Sequence, residues 1–216
     1  MAKRILDLVM ALIGLTLLSP ILVITALCIG LTSRGPIFFR QTRIGRYGKP
    51  FRIFKFRTMV KDAPKLGPSF TLGGDPRITN IGRFLRRYKL DELPQLLNVV
   101  LGDMTLVGPR PQVPEVIDLL TEEERRELLA VRPGITDYAS IVFIDEISLL
   151  ADSSDPQKTY RDVILPRKVS LSLFYLSRRN FLEDVRIVLA TIYLAFQGIV
   201  GQASRQVQVL IDVFLF

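Results

Sequence analysis

Residues Leu8 to Leu31 form 24 consecutive positions without a charge. That run limits the chain more than any other feature. A bilayer span needs about 20 apolar residues, and a secretory signal has a shorter apolar core followed by a small-residue cleavage site. The run is long enough to span and lacks a convincing cleavage site, so it is expected to be retained. Ser19-Pro20 lies in its middle. Proline removes one helix hydrogen bond and clashes with the preceding turn, so a bend or break is expected there. The Ser19 hydroxyl can bond the freed carbonyl and make the bend tolerable in lipid.

The flanks are basic on both sides. Lys3 and Arg4 precede the run, and Arg34, Arg40, Arg43, Arg46, Lys49, Arg52, Lys55, Arg57 and Lys61 follow it. No acidic residue falls between Asp7 and Asp62. Basic flanks prefer the cytoplasmic face. A straight span violates that preference at one end; a helix-break-helix that enters and leaves by the same face satisfies it at both. A kinked span and a re-entrant hairpin both remain open on charge alone.

The net charge of +8 and pI near 9.9 imply an anionic partner: nucleic acid, lipid headgroups or a phosphorylated substrate. The hydrophobic N-terminus favours the membrane options. With no histidine and a single cysteine, Cys28, imidazole chemistry, an intrachain disulfide and a multi-cysteine zinc site are all excluded. Acid–base or nucleophilic chemistry falls to Asp, Glu, Lys, Tyr or a hydroxyl.

Beyond the run, residues 34–61 read as an extended basic segment, either a short hairpin or an interfacial piece, with turns at Gly45, Gly48 and Pro50. Residues 62–76 read as a loop rich in Gly and Pro. Thr79 or Asn80 is expected to cap a helix through Phe84, Leu85 and Tyr88. Asp91 is expected to cap a second helix that ends before Gly102, and Thr121 with Glu124 forms a capping box. Two more helical patterns cover 170–180 and 181–197, and an apolar tail ends the chain at Phe216.

The densest polar cluster is Arg83, Arg86, Arg87, Lys89, Asp91 and Glu92. An ionised Asp among guanidinium groups can attack phosphorus to give an acyl phosphate. The arginines neutralise phosphoryl oxygens in the transition state. The adjacent acid can hold Mg²⁺, which takes one or two carboxylates plus substrate phosphates. Asp-Glu-Leu-Pro is also an ordinary helix start. Gly108-Pro109-Arg110-Pro111 holds an arginine between two prolines, suited to a fixed bidentate phosphate contact or simply a rigid turn. Arg132-Pro133-Gly134-Ile135-Thr136 is a second Arg-Pro turn of the same ambiguity.

Taken together, the motifs resemble the bacterial sugar transferases, or monotopic phosphoglycosyl transferases. The matching stretches are Phe39-Arg40-Gln41-Thr42-Arg43-Ile44-Gly45, Phe54-Lys55-Phe56-Arg57-Thr58-Met59, Asp75-Pro76-Arg77-Ile78-Thr79, Leu90-Asp91-Glu92-Leu93-Pro94-Gln95-Leu96, Val107-Gly108-Pro109-Arg110-Pro111 and Arg132-Pro133-Gly134-Ile135-Thr136. They occur in the family's order, and the resemblance runs from the N-terminus to about residue 200. One departure follows the last motif: Asp137-Tyr138-Ala139-Ser140 stands where many members carry Gly and an aromatic-Ala-Gln run.

The resemblance implies an α+β, mostly helical fold. It comprises a re-entrant membrane hairpin (1–33), a cytoplasmic catalytic domain with interfacial amphipathic helices (34–200) and a tail (201–216), in the small minimal form. It implies a phosphoglycosyl transferase that moves a sugar 1-phosphate from a nucleotide sugar, UDP by resemblance only, to a polyprenyl phosphate. Such transfer is the first membrane step of polysaccharide or glycoconjugate assembly. Asp91 would carry a covalent phosphosugar, and Asp91 with Glu92 would form the Mg²⁺ site. Arg86, Arg110, Lys55, Arg57 and Arg132 would hold phosphates or substrate, and Ser19-Pro20 would form the membrane break. The location implied is monotopic, in the inner membrane and facing the cytoplasm. The partners are lipid and the two substrates, without nucleic acid; a homo-oligomer and the sugar itself stay open. The competing reading is a non-catalytic membrane anchor that binds polyanions through residues 34–61. It leaves the Asp-Glu pair and both Arg-Pro turns without a role.

Overall fold

A computed structural model describes residues 2–66, 75–151 and 153–200. The chain is mostly helical, with two small two-stranded sheets. Helix α1 covers Ala2–Thr32, about 46 Å at 1.5 Å per residue. Its most apolar 18-residue window has a mean hydropathy of 2.5, and only 11% of it is buried. By length and composition it is able to cross a membrane.

The expected break at Ser19-Pro20 does not interrupt α1, which stays helical with Pro20 inside it. The local reason is visible. Pro20 has no N–H for the Thr16 carbonyl, and the Ser19 hydroxyl donates to that carbonyl instead, at 2.7 Å.

Both ends of α1 are fastened to the rest of the chain. Near the start, Arg4 donates to the Val99 carbonyl at 2.7 Å. Asp7 is buried, and its carboxylate accepts from the Thr105 hydroxyl and from the Leu106 amide. Near the end, Ile29 is fully buried against Phe56 and Leu85. Between these anchors Leu17 and Leu27 point outward, 73% and 59% exposed.

Strands β1 (Phe38–Ile44) and β2 (Pro50–Phe56) form the hairpin that the sequence left as one of two options. They pair antiparallel, with Gln41 opposite Ile53. The turn between them carries Tyr47 at φ 59° and Gly48 at φ 74°, a left-handed pair that suits a tight reversal. After α2 (Ala63–Leu66), α3 (Asn80–Arg87) is capped by Thr79, which accepts from the Gly82 amide. Helix α4 (Gln95–Leu101) ends at Gly102 with φ 96°, as expected for a C-terminal glycine.

Among the described residues no third strand lies beside β2. Its outer groups are met by buried Asn98 of α4, which accepts from the Phe54 amide and donates to the Arg52 carbonyl, both at 2.9 Å. Ala11, Ile53, Val99 and Met104 close the core beneath, so α1, β2 and α4 share one apolar centre.

The remaining elements follow in order. Strand β3 (Thr105–Val107) leads through α5 (Pro114–Ile117) and α6 (Glu122–Leu129) to β4 (Gly134–Thr136), which pairs parallel with β3. The Thr121–Glu124 capping box is present at α6. Helices α7 (Tyr138–Val142), α8 (Glu146–Ala151) and α9 (Pro156–Thr159) lead into a π-helical turn, Tyr160–Ile164. Then come α10 (Leu165–Arg178) and α11 (Phe181–Val200), breaking near residue 180 as the periodicity predicts. Helix α11 buries Ile187 and Leu194 but exposes Leu182 and Leu189, so it is apolar outside as well as inside. The tail 201–216 and most of the glycine-rich loop lie outside the described residues.

Candidate active site

Asp91 does not cap α4 as expected. It sits in a short 3-10 turn, Leu90–Glu92, and Pro94 takes the cap position. Lys89 enters that turn with φ 54°, a left-handed backbone that is uncommon for a side-chain residue. This turn places the two carboxylates on the wall of a broad cleft. The cleft is also lined by Lys55, Arg86, Arg110 and Arg43.

The two carboxylates are treated differently. Glu92 is clamped: Lys55 Nζ donates to Oε1 at 2.7 Å, and Arg110 reaches Oε1 and Oε2 at 2.8 Å each. Burial opposes its charge, yet Arg110 and Lys55 hold Glu92 well below the usual glutamate range. Asp91 is 9% exposed and makes no hydrogen bond through its carboxylate among the described residues. Burial, and then repulsion from Glu92, push it up to about 6, against the pull of Lys55, Lys89 and Arg86. One carboxylate is thus neutralised in place. The other is open and easily protonated, and is deprotonated at neutral pH.

Arg110 is aimed by its surroundings. Its guanidinium also donates to the Ile135 carbonyl at 2.8 Å. The two Arg-Pro turns lie against each other: the Gly134 amide donates to the Pro109 carbonyl and the Gly108 amide to the Thr136 carbonyl, both at 2.9 Å. A Cβ on Gly134 would fall 2.2 Å from the Gly108 amide nitrogen, backbone against backbone. Gly134→Ala is therefore expected to force the turns apart, costing about 3 kcal/mol or more and freeing Arg110 from Glu92. A lowered melting temperature together with lost turnover checks this.

Arg86 lines the same cleft and donates from Nε to the Thr58 hydroxyl at 2.8 Å. Gly82 of α3 touches the Thr58 carbonyl so closely that an added Cβ would lie 2.0 Å from it. The close approach brings Arg86 to the site.

Two expected phosphate ligands have other partners, although Arg57 also lines the cleft. Arg57 is buried and donates to the Ser33 and Arg34 carbonyls at 2.7 and 3.0 Å, tying the end of α1 to β2. Arg132 donates to the Gly102 carbonyl at 2.9 Å, behind the turn that carries Arg110. The departure Asp137–Ser140 forms a closed network. Asp137 is fully buried and accepts from the Ser140 amide and hydroxyl and from the Ser172 hydroxyl at 2.6–2.8 Å.

Arg43, within the Phe39–Gly45 stretch, also lines the cleft. Burial and the neighbouring Arg110 lower it to about 10, and Glu92 and Tyr160 act in the other sense. Only tertiary packing places it there. For Mg²⁺, no group of three acidic or sulfur ligands occurs among the described residues. Asp91 is the carboxylate left free for a metal brought in with phosphates, while Glu92 joins only by releasing Lys55 or Arg110.

A paired acid among fixed cations, in a cleft that Met10, Gly14 and Leu18 of a long, exposed apolar helix also line, defines a class of chain suited to phosphate beside a helix able to cross a membrane. The chain belongs to the bacterial sugar transferase family, whose model matches residues 1–198. It is 35% identical, over 91% of its length, to UDP-N-acetylgalactosamine-undecaprenyl-phosphate N-acetylgalactosaminephosphotransferase of Aeromonas hydrophila. It is 37% identical, over 94% of its length, to UDP-glucose:undecaprenyl-phosphate glucose-1-phosphate transferase of Escherichia coli (strain K12). It spans only 44% and 41% of those two proteins. It is also 37% identical to the exopolysaccharide production protein PSS of Rhizobium leguminosarum bv. phaseoli, where it spans 92% of the relative.

Proposed function

We propose that this protein is a phosphoglycosyl transferase that moves a sugar 1-phosphate from a UDP-sugar to a polyprenyl phosphate for polysaccharide assembly. The observation that carries the reading is the unequal carboxylate pair: a buried, unbonded Asp91 beside a Glu92 clamped by Lys55 and Arg110. The relatives' names supply the substrate class.

An Asp91 oxygen attacks the sugar-bearing phosphorus. The bond from that phosphorus to the bridging oxygen breaks, and UMP leaves with the electron pair. A polyprenyl phosphate oxygen then attacks the same phosphorus and displaces Asp91, giving the polyprenyl diphosphate sugar. Arg86 faces the phosphoryl oxygens, Arg43 adds positive charge from the cleft wall while donating to the Pro111 carbonyl and the Gln41 side chain, and Lys55 and Arg110 keep Glu92 ionised in place. A Mg²⁺ ion brought in with the substrate phosphates would be held by the carboxylate oxygen of Asp91 that does not attack, and would supply further neutralisation of the diphosphate.

The test is the purified full chain with polyprenyl phosphate, Mg²⁺ and a panel of nucleotide sugars. UMP release from at least one UDP-sugar is expected, and EDTA is expected to stop it. No release across the panel refutes the reading.

The attachments of α1 support a membrane arrangement. Its two ends are bonded to one polar domain, through Arg4 and Asp7 at one end and the Ser33 carbonyl at the other. We infer that α1, unbroken in this structure, bends at Ser19-Pro20 in lipid, so that it enters the cytoplasmic leaflet of the inner membrane and returns to the same face, with α11 at the interface. Basic flanks on both sides support this. A tag on the N-terminus should stay protected in spheroplasts until the cells are lysed. Labelling from the periplasm would overturn the topology.

A further inference from the structure

The cleft continues past the phosphate-facing cations to a second wall that the transfer steps do not use. Arg43 stands between the two regions, since its charge responds to Glu92 and Arg110 on one side and to Tyr160 on the other. The second wall holds Phe143, Glu146, Tyr160 and Lys168, all lining the cleft.

Three observations make this wall more than packing. First, Lys168 Nζ donates to Glu146 Oε2 at 2.5 Å, with side-chain exposures of 19% and 25%, so the pair is mostly withdrawn from water yet reachable from the cleft. Second, the same ammonium lies 5.8 Å from the Phe143 ring and 5.6 Å from the Tyr160 ring, so aromatic faces fix its position. Third, Tyr160 opens a π-helical turn, Tyr160–Ile164. Such turns are rare and recur at functional sites. The Tyr160 hydroxyl makes no hydrogen bond among the described residues, and burial together with Glu146 pushes it up to about 12, so it remains a donor at neutral pH.

The chemistry suits a neutral, hydroxyl-rich group. A carboxylate on the wall repels phosphate. A carboxylate, an ammonium and a phenol side by side offer both acceptors and donors, which vicinal hydroxyls need. The Phe143 ring supplies an apolar face for C–H groups. Building on the donor proposed above, we propose that Glu146, Tyr160 and Lys168 form a diol-binding subsite. It takes the vicinal hydroxyls of the nucleotide sugar, from either its glycosyl ring or its ribose. A site that hydrogen-bonds substrate hydroxyls discriminates strongly against analogues lacking or misplacing them, so this wall would set which donor is accepted.

The test uses the full chain and measures binding directly, apart from turnover. UDP-glucose, UDP-N-acetylgalactosamine and UMP are titrated calorimetrically onto the wild type and onto Tyr160→Phe, Glu146→Gln and Lys168→Arg. These near-isosteric changes keep the fold measurable by melting temperature. Loss of about tenfold in UDP-sugar affinity with UMP unchanged assigns the subsite to the glycosyl ring. Equal loss for UDP-sugar and UMP assigns it to the ribose. Folded Tyr160→Phe and Glu146→Gln proteins that bind all three ligands as the wild type does would overturn the subsite, because a pair that only pins α8 to α10 would change melting and nothing else. A wild type that binds none of the three also overturns it. A wild type that binds UDP-sugars but releases no UMP, even with polyprenyl phosphate, fails the transfer reading alone.

Discussion

Asp91→Asn should abolish transfer and yet make the protein harder to unfold at pH 8. Loss of the attacking oxygen is expected to lower turnover by about 10³-fold or more and to remove any trappable phosphosugar adduct. The stability effect has the opposite sense for a physical reason. Asp91 is pushed up to about 6 from an ordinary value of 3.8, by burial and by Glu92. A raised acid favours its neutral form in the fold, so ionised Asp91 penalises the folded state above pH 6. Asn carries no such penalty. The variant should gain up to about 3 kcal/mol at pH 8, or several degrees in melting temperature. The gain should shrink as pH falls through 6 and vanish below about 4. In the wild type, kcat/KM should rise with an apparent pKa near 6 and then level off. An Asn variant that turns over normally would end the covalent mechanism. One that is less stable at pH 8 would show that Asp91 is not held at a cost.

Glu92→Gln should do the reverse to the fold. Removing this charge leaves Lys55 and Arg110 facing each other without an anion between them. Loss of one partner from a mostly buried ion pair is strongly destabilising, and the remaining water contact reduces this to about 2–4 kcal/mol. Glu92 is held below its usual range, so its contribution is full above about pH 4.5 and disappears as pH falls through its lowered value. The deficit of the Gln variant should therefore be largest at neutral pH and close in acid. The second effect is on Asp91. Without Glu92 it loses its repulsive neighbour and feels Lys55 and Arg110 more strongly, so the pH–rate profile should move to lower pH. A profile that stays fixed would separate the two carboxylates electrostatically.

Local features were legible in the sequence where their causes are local. The caps at Thr79, Thr121–Glu124 and Gly102 depend on residues within a few positions of each other. β-favouring residues between Gly and Pro turns leave a hairpin and an interfacial piece both open, and the pairing of the strands decides for the hairpin. Asp91 does not reach the cap position that its sequence context suggests, because Pro94 and a left-handed Lys89 turn the backbone early. Arg57 and Arg132 look like phosphate ligands in sequence, but distant carbonyls at Ser33 and Gly102 claim them. Arg43, Tyr160 and Lys168 gain their setting only from packing between remote segments, which no spacing rule encodes.

The N-terminal helix also decides what can be separated from what. Ala11 and Ile29 are fully buried, each in a different core cluster, and each cluster also holds residues of the strand pair or its neighbours. A chain begun at residue 34 would uncover apolar surface in both places and take from Arg57 the carbonyl and hydroxyl of Ser33. The apolar N-terminal helix is therefore a beam of the scaffold that carries the cleft, and the cleft cannot be completed without it.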